Sequence, residues 1–270
     1  MPPLNPRVVG CGERTLVLSH GYGGSQAIWD RVLPHLAETN KVVLFDWDFS
    51  GGGGDGEKAA AEEEEEEYTF EGFADELVAL MEEMGVSGAV YINSDDYEGG
   101  FDEPEIDAML ATISSDFLSW AKGFVPLIVG AAADNPSAAE TLARTFFAMD
   151  PRVADALARM IFLGDNRGVL GRVAAPCTLV HASGDPAAPP CVGRYMEGRI
   201  GRAALVTVDS AGHFPQLVAP DEMLRILDAV LAEEEEAAAK GGGVAIVMEE
   251  RGSLAAVGEV EVKGDIDVAT

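Results

Sequence analysis

The stretch Thr15-Leu-Val-Leu-Ser-His-Gly-Tyr-Gly23 decides the fold, because a short apolar run ends here on a His-Gly turn. A second apolar run, Val42-Val-Leu-Phe45, also contains β-branched residues and stops at a polar residue. Both runs are typical of buried parallel strands. Between them, the apolar residues from Ser25 to Glu38 recur at helical spacing. The sequence therefore predicts a strand, a helix and a parallel strand, with the His-Gly turn after the first strand.

The same alternation resumes in the last third of the chain. Pro176-Cys-Thr-Leu-Val-His181 and Ala204-Leu-Val-Thr-Val208 predict two further strands. The loop after the first contains Ala182-Ser-Gly-Asp-Pro186, and the loop after the second contains Ser210-Ala-Gly-His-Phe-Pro215. Two polar loops thus follow successive strands at the same edge of the predicted sheet.

These loops present an acid and then a histidine, Asp185 and His213, in the order in which an α/β-hydrolase triad supplies them. We therefore predict that Asp185 orients the imidazole of His213. In α/β-hydrolases a His-Gly turn lets backbone N–H groups face the substrate oxygen, so the N–H of Tyr22 is the predicted oxyanion donor. The predicted fold is an α/β-hydrolase with a mostly parallel sheet.

Composition excludes several classes of protein. The 270 residues include 47 acidic and 18 basic side chains, a net charge of −29. Binding to phosphate backbones or anionic membranes needs clustered Lys and Arg, so we expect neither nucleic acid nor membrane as a partner. No apolar run approaches the roughly 20 residues of a membrane span, and the N-terminus lacks a signal pattern, so we expect a cytoplasmic and nuclear protein. The three cysteines are too few and scattered for a zinc site, and we expect no metal and no cofactor.

Shifts in composition predict the domain organisation, which has five parts. These are the N-terminal part of the core (1–50 and 68–92), a Gly- and Glu-rich insertion loop (51–67), a helical cap (93–165), the C-terminal part of the core with the Asp and His loops (166–232), and a low-complexity tail (233–270).

Two of these parts carry more detailed expectations. Prolines 126, 136 and 151 are expected to break the cap into about four short helices. The tail is expected to be mobile, with at most a marginal hairpin formed by its VAIVMEE and EVEVK stretches.

Longer blocks of sequence are more specific than the isolated site residues. They are Asn5-Pro-Arg-Val-Val-Gly-Cys-Gly, Leu18-Ser-His-Gly-Tyr-Gly, Trp29-Asp-Arg-Val-Leu-Pro, Asn93-Ser-Asp-Asp-Tyr-Glu-Gly-Gly-Phe, Ser119-Trp-Ala-Lys-Gly-Phe-Val-Pro-Leu-Ile-Val-Gly, Asp165-Asn-Arg-Gly-Val-Leu-Gly and Gly212-His-Phe-Pro. Together they resemble the plant strigolactone and karrikin receptor family of small α/β-hydrolases. The resemblance spans residues 5 to 232, apart from the insertion, and implies a four-helix cap over an apolar pocket. It also implies binding of a butenolide hormone, slow hydrolysis of its ester or enol-ether bond, and signalling through an F-box protein and a repressor.

The resemblance also implies which residues bind the ligand. Tyr22 follows the His-Gly pair, where the family usually has Phe, and Phe214 follows the predicted catalytic histidine. The aromatic residues of the cap that carry over are Phe101, Trp120, Phe124 and Phe162. An aromatic cavity would suit a small lactone-bearing ligand. The alternative is that these side chains only hold the cap helices together.

The nucleophile of such a triad is missing from the sequence. It normally stands in a G-x-S-x-G turn between a strand and a helix, and no such motif occurs. In the family, the strand that begins near Gly88 leads through a Gly-His-Ser turn, a helix and another strand before the segment resembling Tyr91 to Phe101. Here Val90 joins that segment almost directly, so one helix-strand unit of the family, about 35 residues, is absent. The deletion also removes the second oxyanion donor, and it must either open the sheet or make strands pair that are not normally neighbours.

No other serine has the context of the missing one. Ser87 follows a helix and precedes a strand, the reverse of the required order, and the other candidates lie beside the predicted oxyanion, acid and base residues: Ser19, Ser183 and Ser210. We therefore predict a strigolactone and karrikin receptor-like α/β-hydrolase that is catalytically impaired. The alternatives are a non-enzymatic small-molecule-binding or interaction protein, and a generic carboxylesterase.

Overall fold

A computed structural model describes residues 5, 7–46, 93–94, 97–130, 135–165, 167–173, 175–239, 245–249 and 253–258. The predicted insertion at 51–67 and the predicted core segment at 68–92, with the strand that begins near Gly88, lie outside these residues.

Strands and helices follow one another as in α/β proteins. The strands are β1 (Arg7–Val9), β2 (Thr15–Leu18), β3 (Lys41–Leu44), β4 (Cys177–Ala182), β5 (Ala203–Val208), β6 (Ala245–Glu249) and β7 (Ser253–Gly258). The helices are α1 (Leu33–Thr39), α2 (Glu103–Val129), α3 (Pro136–Ala148), α4 (Pro151–Leu163), α5 (Pro190–Arg199), α6 (Pro215–Val218) and α7 (Pro220–Ala239), with short 3₁₀ helices at Gln26–Trp29 and Arg167–Arg172.

The seven strands among the described residues form one sheet in the order β1-β3-β2-β7-β6-β4-β5. The predicted strand-helix-strand unit is confirmed, since β2 and β3 pair in parallel and α1 lies between them in the chain. The strands β4 and β5 also pair in parallel, so the loops that follow them leave the sheet at the same edge. Asp185 and His213 are therefore brought to one side of the molecule.

The hairpin formed by β6 and β7 lies in the middle of this sheet. Strand β7 runs antiparallel to β2, with Ala255 opposite Leu18, and β6 runs parallel to β4, with Glu249 opposite Val180. The expected hairpin is confirmed for the VAIVMEE stretch, but its partner strand is Ser253–Gly258, and the EVEVK stretch lies outside the described residues. The sheet neither opens nor pairs β2 with β4 directly, because the C-terminal segment supplies backbone partners to both strands.

The last helix also extends beyond its expected end near residue 232. Helix α7 continues through four glutamates to Ala239. Glutamate and alanine both favour helices, and Glu233, Glu235 and Glu236 are exposed to solvent, so nothing opposes the extension.

Prolines mark the starts of two cap helices but do not divide the third. The predicted boundaries at Pro136 and Pro151 are confirmed, since each is the first residue of a helix, where the missing N–H costs nothing. Pro126, by contrast, lies inside α2, so the break predicted there is wrong. Pro126 and Lys122, whose carbonyl loses its helical partner, are both exposed, and water can replace the lost hydrogen bond.

The interruption of α2 falls at Asp116 instead. This residue has φ −155° and ψ 77°, so two helical halves meet here at a kink. The Asp116 carboxylate accepts a hydrogen bond of 3.0 Å from the backbone N–H of Ser119, as an N-cap residue does. A side-chain hydrogen bond from Ser119, and then this backbone hydrogen bond, hold the pKa of Asp116 below its usual value. The second half of α2 therefore starts as a capped helix of its own.

The core has a main cluster and a smaller one. The main cluster joins β2 and β3 to the inner faces of the cap helices and of α7, and Trp29 and Phe146, both about 1% exposed, are among its largest side chains. The smaller cluster lies between α5, the 3₁₀ helix at Arg167–Arg172 and the strands β4 and β5. No helix in the described part of the chain is both long and apolar enough to span a membrane.

Candidate active site

Asp185 and His213 form a buried hydrogen-bonded pair. The Nδ1 atom of His213 lies 2.6 Å from Oδ2 of Asp185, and the two side chains are 8% and 3% exposed. The other carboxylate oxygen of Asp185 accepts hydrogen bonds from the backbone N–H groups of Ala187 and Ala188, at 2.8 and 3.2 Å. This arrangement orients the imidazole, leaving its Nε2 atom as the one able to exchange a proton with a substrate.

The electrostatics of the pair favour the ionised carboxylate. Burial by itself raises the pKa of Asp185, but the hydrogen bond and charge of His213 and the amides of Ala187 and Ala188 outweigh it, so the pKa lies below its usual value. An ionised Asp185 stabilises the imidazolium that forms when His213 takes a proton.

The loop that carries His213 is held against the end of α2. The His213 backbone N–H donates to the carbonyl of Ile128 at 2.9 Å. Two glycines allow this close approach: Gly130 has φ +59°, and a Cβ atom on Gly212 would lie 2.2 Å from the carbonyl oxygen of Val129. The position of the imidazole therefore depends on the cap helix as well as on β5.

The turn after β2 places a second histidine below the site. His20 is 1% exposed, and its Nδ1 lies 3.0 Å from the carbonyl oxygen of Gly21. Because a carbonyl can only accept, Nδ1 donates the hydrogen bond. Burial lowers the pKa of His20, although this hydrogen bond and the charge of Asp46 oppose the change. His20 is thus a neutral structural residue of the turn.

Tyr22 stands where the sequence places the oxyanion donor. Its backbone N–H makes no hydrogen bond to any of the described residues. Its side chain has a structural role: the hydroxyl donates a hydrogen bond of 3.0 Å to the carbonyl of Ala154 and so links the turn to α4. Burial, then the charge of Asp155, raises the pKa of this hydroxyl, which therefore stays protonated.

Three of the predicted ligand residues meet in one aromatic cluster, formed by Tyr22, Trp120, Phe124 and Phe146. The Trp120 and Phe124 rings are stacked with centroids 4.4 Å apart. The centroid of the Phe146 ring lies 6.1 Å from that of Trp120 and 5.8 Å from that of Phe124. Phe146 also meets the Tyr22 ring edge-on, with centroids 5.5 Å apart. The cluster therefore joins the cap to the oxyanion turn.

Phe146 was missed in the sequence because the block around it carried no resemblance. The signal available was its spacing, since Ala138, Leu142 and Phe146 recur every four residues on the buried face of α3. A Cβ atom at Gly23, which has φ +71°, would lie 2.2 Å from the Phe146 ring. A side chain at Gly23 would therefore overlap the Phe146 ring, so a glycine at this position allows the ring to pack against the turn.

The remaining predicted ligand residues lie apart from these ring contacts. Phe214 meets the imidazole of His213 edge-on, with centroids 5.2 Å apart, and is 7% exposed. Phe162 is 4% exposed within the main core, and Phe101 is a partly buried residue packed against it. Burial at this level favours a packing role for Phe162.

The serines near the site have other contacts. Ser19 is 3% exposed and its carbonyl accepts a hydrogen bond of 2.6 Å from the Trp29 indole. The Ser183 hydroxyl donates to Asp209 at 3.2 Å on the exposed side of its loop. Ser87 lies outside the described residues. In the same described part of the chain, no group of three or more His, Cys, Asp or Glu residues is arranged to hold a metal ion.

Comparison with known proteins agrees with this architecture. The model of the alpha/beta hydrolase family matches residues 16–226. A hydrolase from Oleispira antarctica superposes with a TM-score of 0.71 at 23% identity, covering 84% of this chain and 94% of the other. An enol-lactonase from Burkholderia xenovorans superposes with a TM-score of 0.66 at 16% identity, covering 84% and 96%. These likenesses confirm the predicted α/β-hydrolase fold.

Proteins related in sequence show which group of α/β-hydrolases the chain resembles. The chain is 33% identical over 258 residues to Karrikin insensitive 2 receptor IA of Petunia hybrida, covering 83% of this chain and 92% of the relative. It is 30% identical over 262 residues to a strigolactone esterase of Arabidopsis thaliana, covering 84% and 96%. The chain therefore belongs to the α/β-hydrolase family and, within it, to the group of karrikin receptors and strigolactone esterases.

Proposed function

We propose that this protein binds a small butenolide-type ligand beside its aromatic cluster and hydrolyses the ester or enol-ether bond of that ligand only slowly. The observation that carries the proposal is the junction of the cluster with the catalytic residues. Tyr22 belongs both to the cluster and to the oxyanion turn, and α2 carries Trp120 and Phe124 before it ends against the His213 loop.

The geometry suits a lactone held under the cap. Trp120, Phe124 and Ile128 are four residues apart on one face of α2, so aromatic contact and the anchor of His213 lie on the same side of this helix. Trp120 and Phe124 are only partly buried, unlike the core phenylalanines. Stacking on their faces would hold a flat ring, while the Tyr22 N–H donates to its carbonyl oxygen.

Slow turnover follows from the missing G-x-S-x-G turn. Without that serine, the reaction loses the acyl intermediate that splits one difficult step into two easier ones, and it loses the oxyanion donor that follows the serine. We expect hydrolysis to be roughly a thousandfold or more slower than in a relative with an intact motif.

The binding part of the proposal is tested with Trp120→Ala. A strigolactone analogue should raise the melting temperature of the native protein and leave that of the variant unchanged, since the stacked face is lost. Phe147→Ala is the matched control, because Phe147 is 43% exposed and adjoins Phe146 on α3. Equal shifts in the native protein and in Trp120→Ala, or no shift in either, would refute binding at the cluster.

The turnover part is tested with a chromogenic acetate ester and the same analogue, beside the Arabidopsis thaliana strigolactone esterase. Rates equal to those of that esterase would contradict impairment. A melting shift without any turnover would favour a non-enzymatic binding protein, and ester turnover without a melting shift would favour a generic carboxylesterase.

The proposal also includes a role for the ligand-bound protein in signalling. The family resemblance supports a role in which the cap, once a ligand is bound, is recognised by an F-box protein and a repressor in the cytoplasm or nucleus. Ligand-dependent co-purification of such a partner with the native protein, and its loss in Trp120→Ala, is the expected result.

A further inference from the structure

The oxyanion turn after β2 is closed by its own backbone. The Gly24 N–H donates to the Gly21 carbonyl at 3.0 Å, which closes a four-residue turn with Tyr22 and Gly23 at its tip. Gly23 has φ +71°, as the third residue of a type II turn requires. This closure sets the shape of the turn, whereas the orientation of the turn toward the cap depends on contacts made by its side chains.

The Tyr22 side chain makes two such contacts. Its hydroxyl donates to the Ala154 carbonyl of α4 at 3.0 Å, and its ring meets Phe146 of α3 edge-on, with centroids 5.5 Å apart. A tyrosine side chain has only two torsions, so a contact at its ring and another at its far end leave it little freedom. Because the backbone N–H of Tyr22 is bonded to the same Cα atom, these contacts also restrict the direction of that N–H.

The carbonyl that accepts the hydroxyl belongs to a well-anchored part of the cap. The Asp150 carboxylate caps α4 by accepting a hydrogen bond of 2.8 Å from the Arg152 N–H, and the Ala154 N–H donates to the Asp150 carbonyl at 2.9 Å. Ala154 is fully buried in the main core, so water does not compete for its carbonyl. The tie between Tyr22 and α4 therefore connects the turn to a fixed point.

We propose that the Tyr22 hydroxyl is a positioning group, which holds the oxyanion turn to α4 so that the Tyr22 N–H is aimed at the carbonyl oxygen of a bound lactone. This role rests on the proposed function, in which that N–H donates to the ligand. The hydroxyl donates its only proton to Ala154, so its effect on the ligand passes through the turn. A hydrogen bond weakens steeply when its angle at the hydrogen falls below about 120°, so a turn that rotates away from the cap binds the carbonyl oxygen less well.

Positioning and packing predict different responses to the loss of the hydroxyl. Tyr22→Phe keeps the ring that meets Phe146 and removes only the tie to Ala154. If the hydroxyl only packs the cap against the turn, every ligand of the aromatic cluster should bind more weakly to this variant. If the hydroxyl positions the N–H, only ligands that have a carbonyl oxygen should do so.

The experiment uses two probes that differ in one oxygen atom, a phenyl-substituted butenolide and the dihydrofuran of the same skeleton, which lacks the carbonyl oxygen. Isothermal titration calorimetry gives their dissociation constants for the native protein, Tyr22→Phe and the control Tyr195→Phe, which removes a hydroxyl from a ring that packs against Tyr97 in the smaller cluster. We expect Tyr22→Phe to bind the butenolide roughly three- to tenfold more weakly, the range that one hydrogen bond is worth, and to bind the dihydrofuran as the native protein does. Tyr195→Phe should match the native protein with both probes.

Trp120→Ala provides the opposite pattern, since loss of the stacked face should weaken both probes alike. Circular dichroism and the melting temperatures of the free proteins confirm that each variant is folded.

Three results would overturn the positioning role while leaving the proposed binding intact. In the first, Tyr22→Phe binds both probes as the native protein does. In the second, it binds both more weakly by the same factor, and in the third the native protein does not prefer the butenolide to the dihydrofuran. A native protein that binds neither probe would instead refute the proposed binding at the cluster, and the positioning role with it.

Discussion

At the scale of single residues, two buried histidines with different partners organise the site. The Asp185–His213 pair could be predicted from the sequence, because an acid and a base in loops after successive strands have few other uses. The burial of His20 could not, because its exposure of 1% depends on the elements that pack around the turn. A sequence pattern shows which chemical groups a residue carries, but the solvent exposure of that residue is set by the elements that pack around it.

His20 should make the stability of the protein depend on pH. Burial lowers its pKa below the usual 6.5, so the unfolded chain takes up a proton more readily than the folded one. The contribution of His20 to stability is therefore complete above about pH 6.5 and is lost as the pH falls below that value. The loss from one such group is at most about 1.4 kcal/mol per pH unit.

Urea unfolding at several pH values measures this effect. The free energy of unfolding of the native protein should fall more between pH 7 and pH 5 than that of His20→Gln, while the two should change in parallel between pH 7 and pH 8. The comparison removes the contribution of the many carboxylates, which both proteins share. Parallel curves over the whole range would show that His20 is not the titrating group.

At the scale of elements, α2 joins the ligand-binding part of the site to the catalytic part. Its second half begins at the Asp116 cap, carries Trp120 and Phe124, and ends where Gly130 meets the His213 loop. The sequence pointed to Pro126 as the break. The hydrogen bond from the Ser119 N–H to the Asp116 side chain shows that Asp116 caps the second half of the helix. Asp is a preferred N-cap residue, because its side chain accepts from an N–H of the first helical turn.

Replacing Gly212 with alanine should disturb both stability and catalysis. The added Cβ would lie 2.2 Å from the Val129 carbonyl oxygen, so the His213 loop and the end of α2 must move apart. Overpacking of this kind costs about 1–3 kcal/mol of unfolding free energy. Residual ester hydrolysis should fall with it, because the His213 N–H then loses its bond to Ile128.

The control for this change is Gly198→Ala on α5, where an added Cβ meets nothing within 4 Å. Alanine at that position should raise stability by about 0.5–1 kcal/mol and leave hydrolysis unchanged. Chemical unfolding and ester assays on both variants measure the difference. If Gly212→Ala matched the native protein in both assays, the glycine contact would not position His213.

At the scale of the whole molecule, the C-terminal hairpin joins the two halves of the described sheet at their inner edges. Strand β2 pairs with β3 and β7, and β4 pairs with β5 and β6, so the hairpin is the sole described link between the two halves of the sheet. Each hairpin strand satisfies the inner edge of one half. The C-terminal segment, which resembles nothing in the family blocks, is thus an integral part of the fold.

Truncation tests this role directly. A chain that ends at Ala239 loses both strands, leaves two inner edges unpaired, and should lose its cooperative thermal transition or aggregate. A chain that ends at Gly258 keeps both strands and should melt as the full protein does. Circular dichroism and light scattering on the two chains distinguish them. Equal cooperative melting of both would show that the hairpin does not complete the sheet.

The sequence by itself determined the local parts of this protein. The strands β2 to β5, the Asp185 and His213 loops and the helix starts at Pro136 and Pro151 follow from short apolar runs, turn residues and prolines, whose preferences act over a few residues. Only the tertiary structure decided the position of the C-terminal hairpin, the ring contacts of Phe146 and the burial of His20. Each of these depends on partners distant in the chain, and a strand with a modest preference of its own takes whichever open edge the rest of the fold leaves to it.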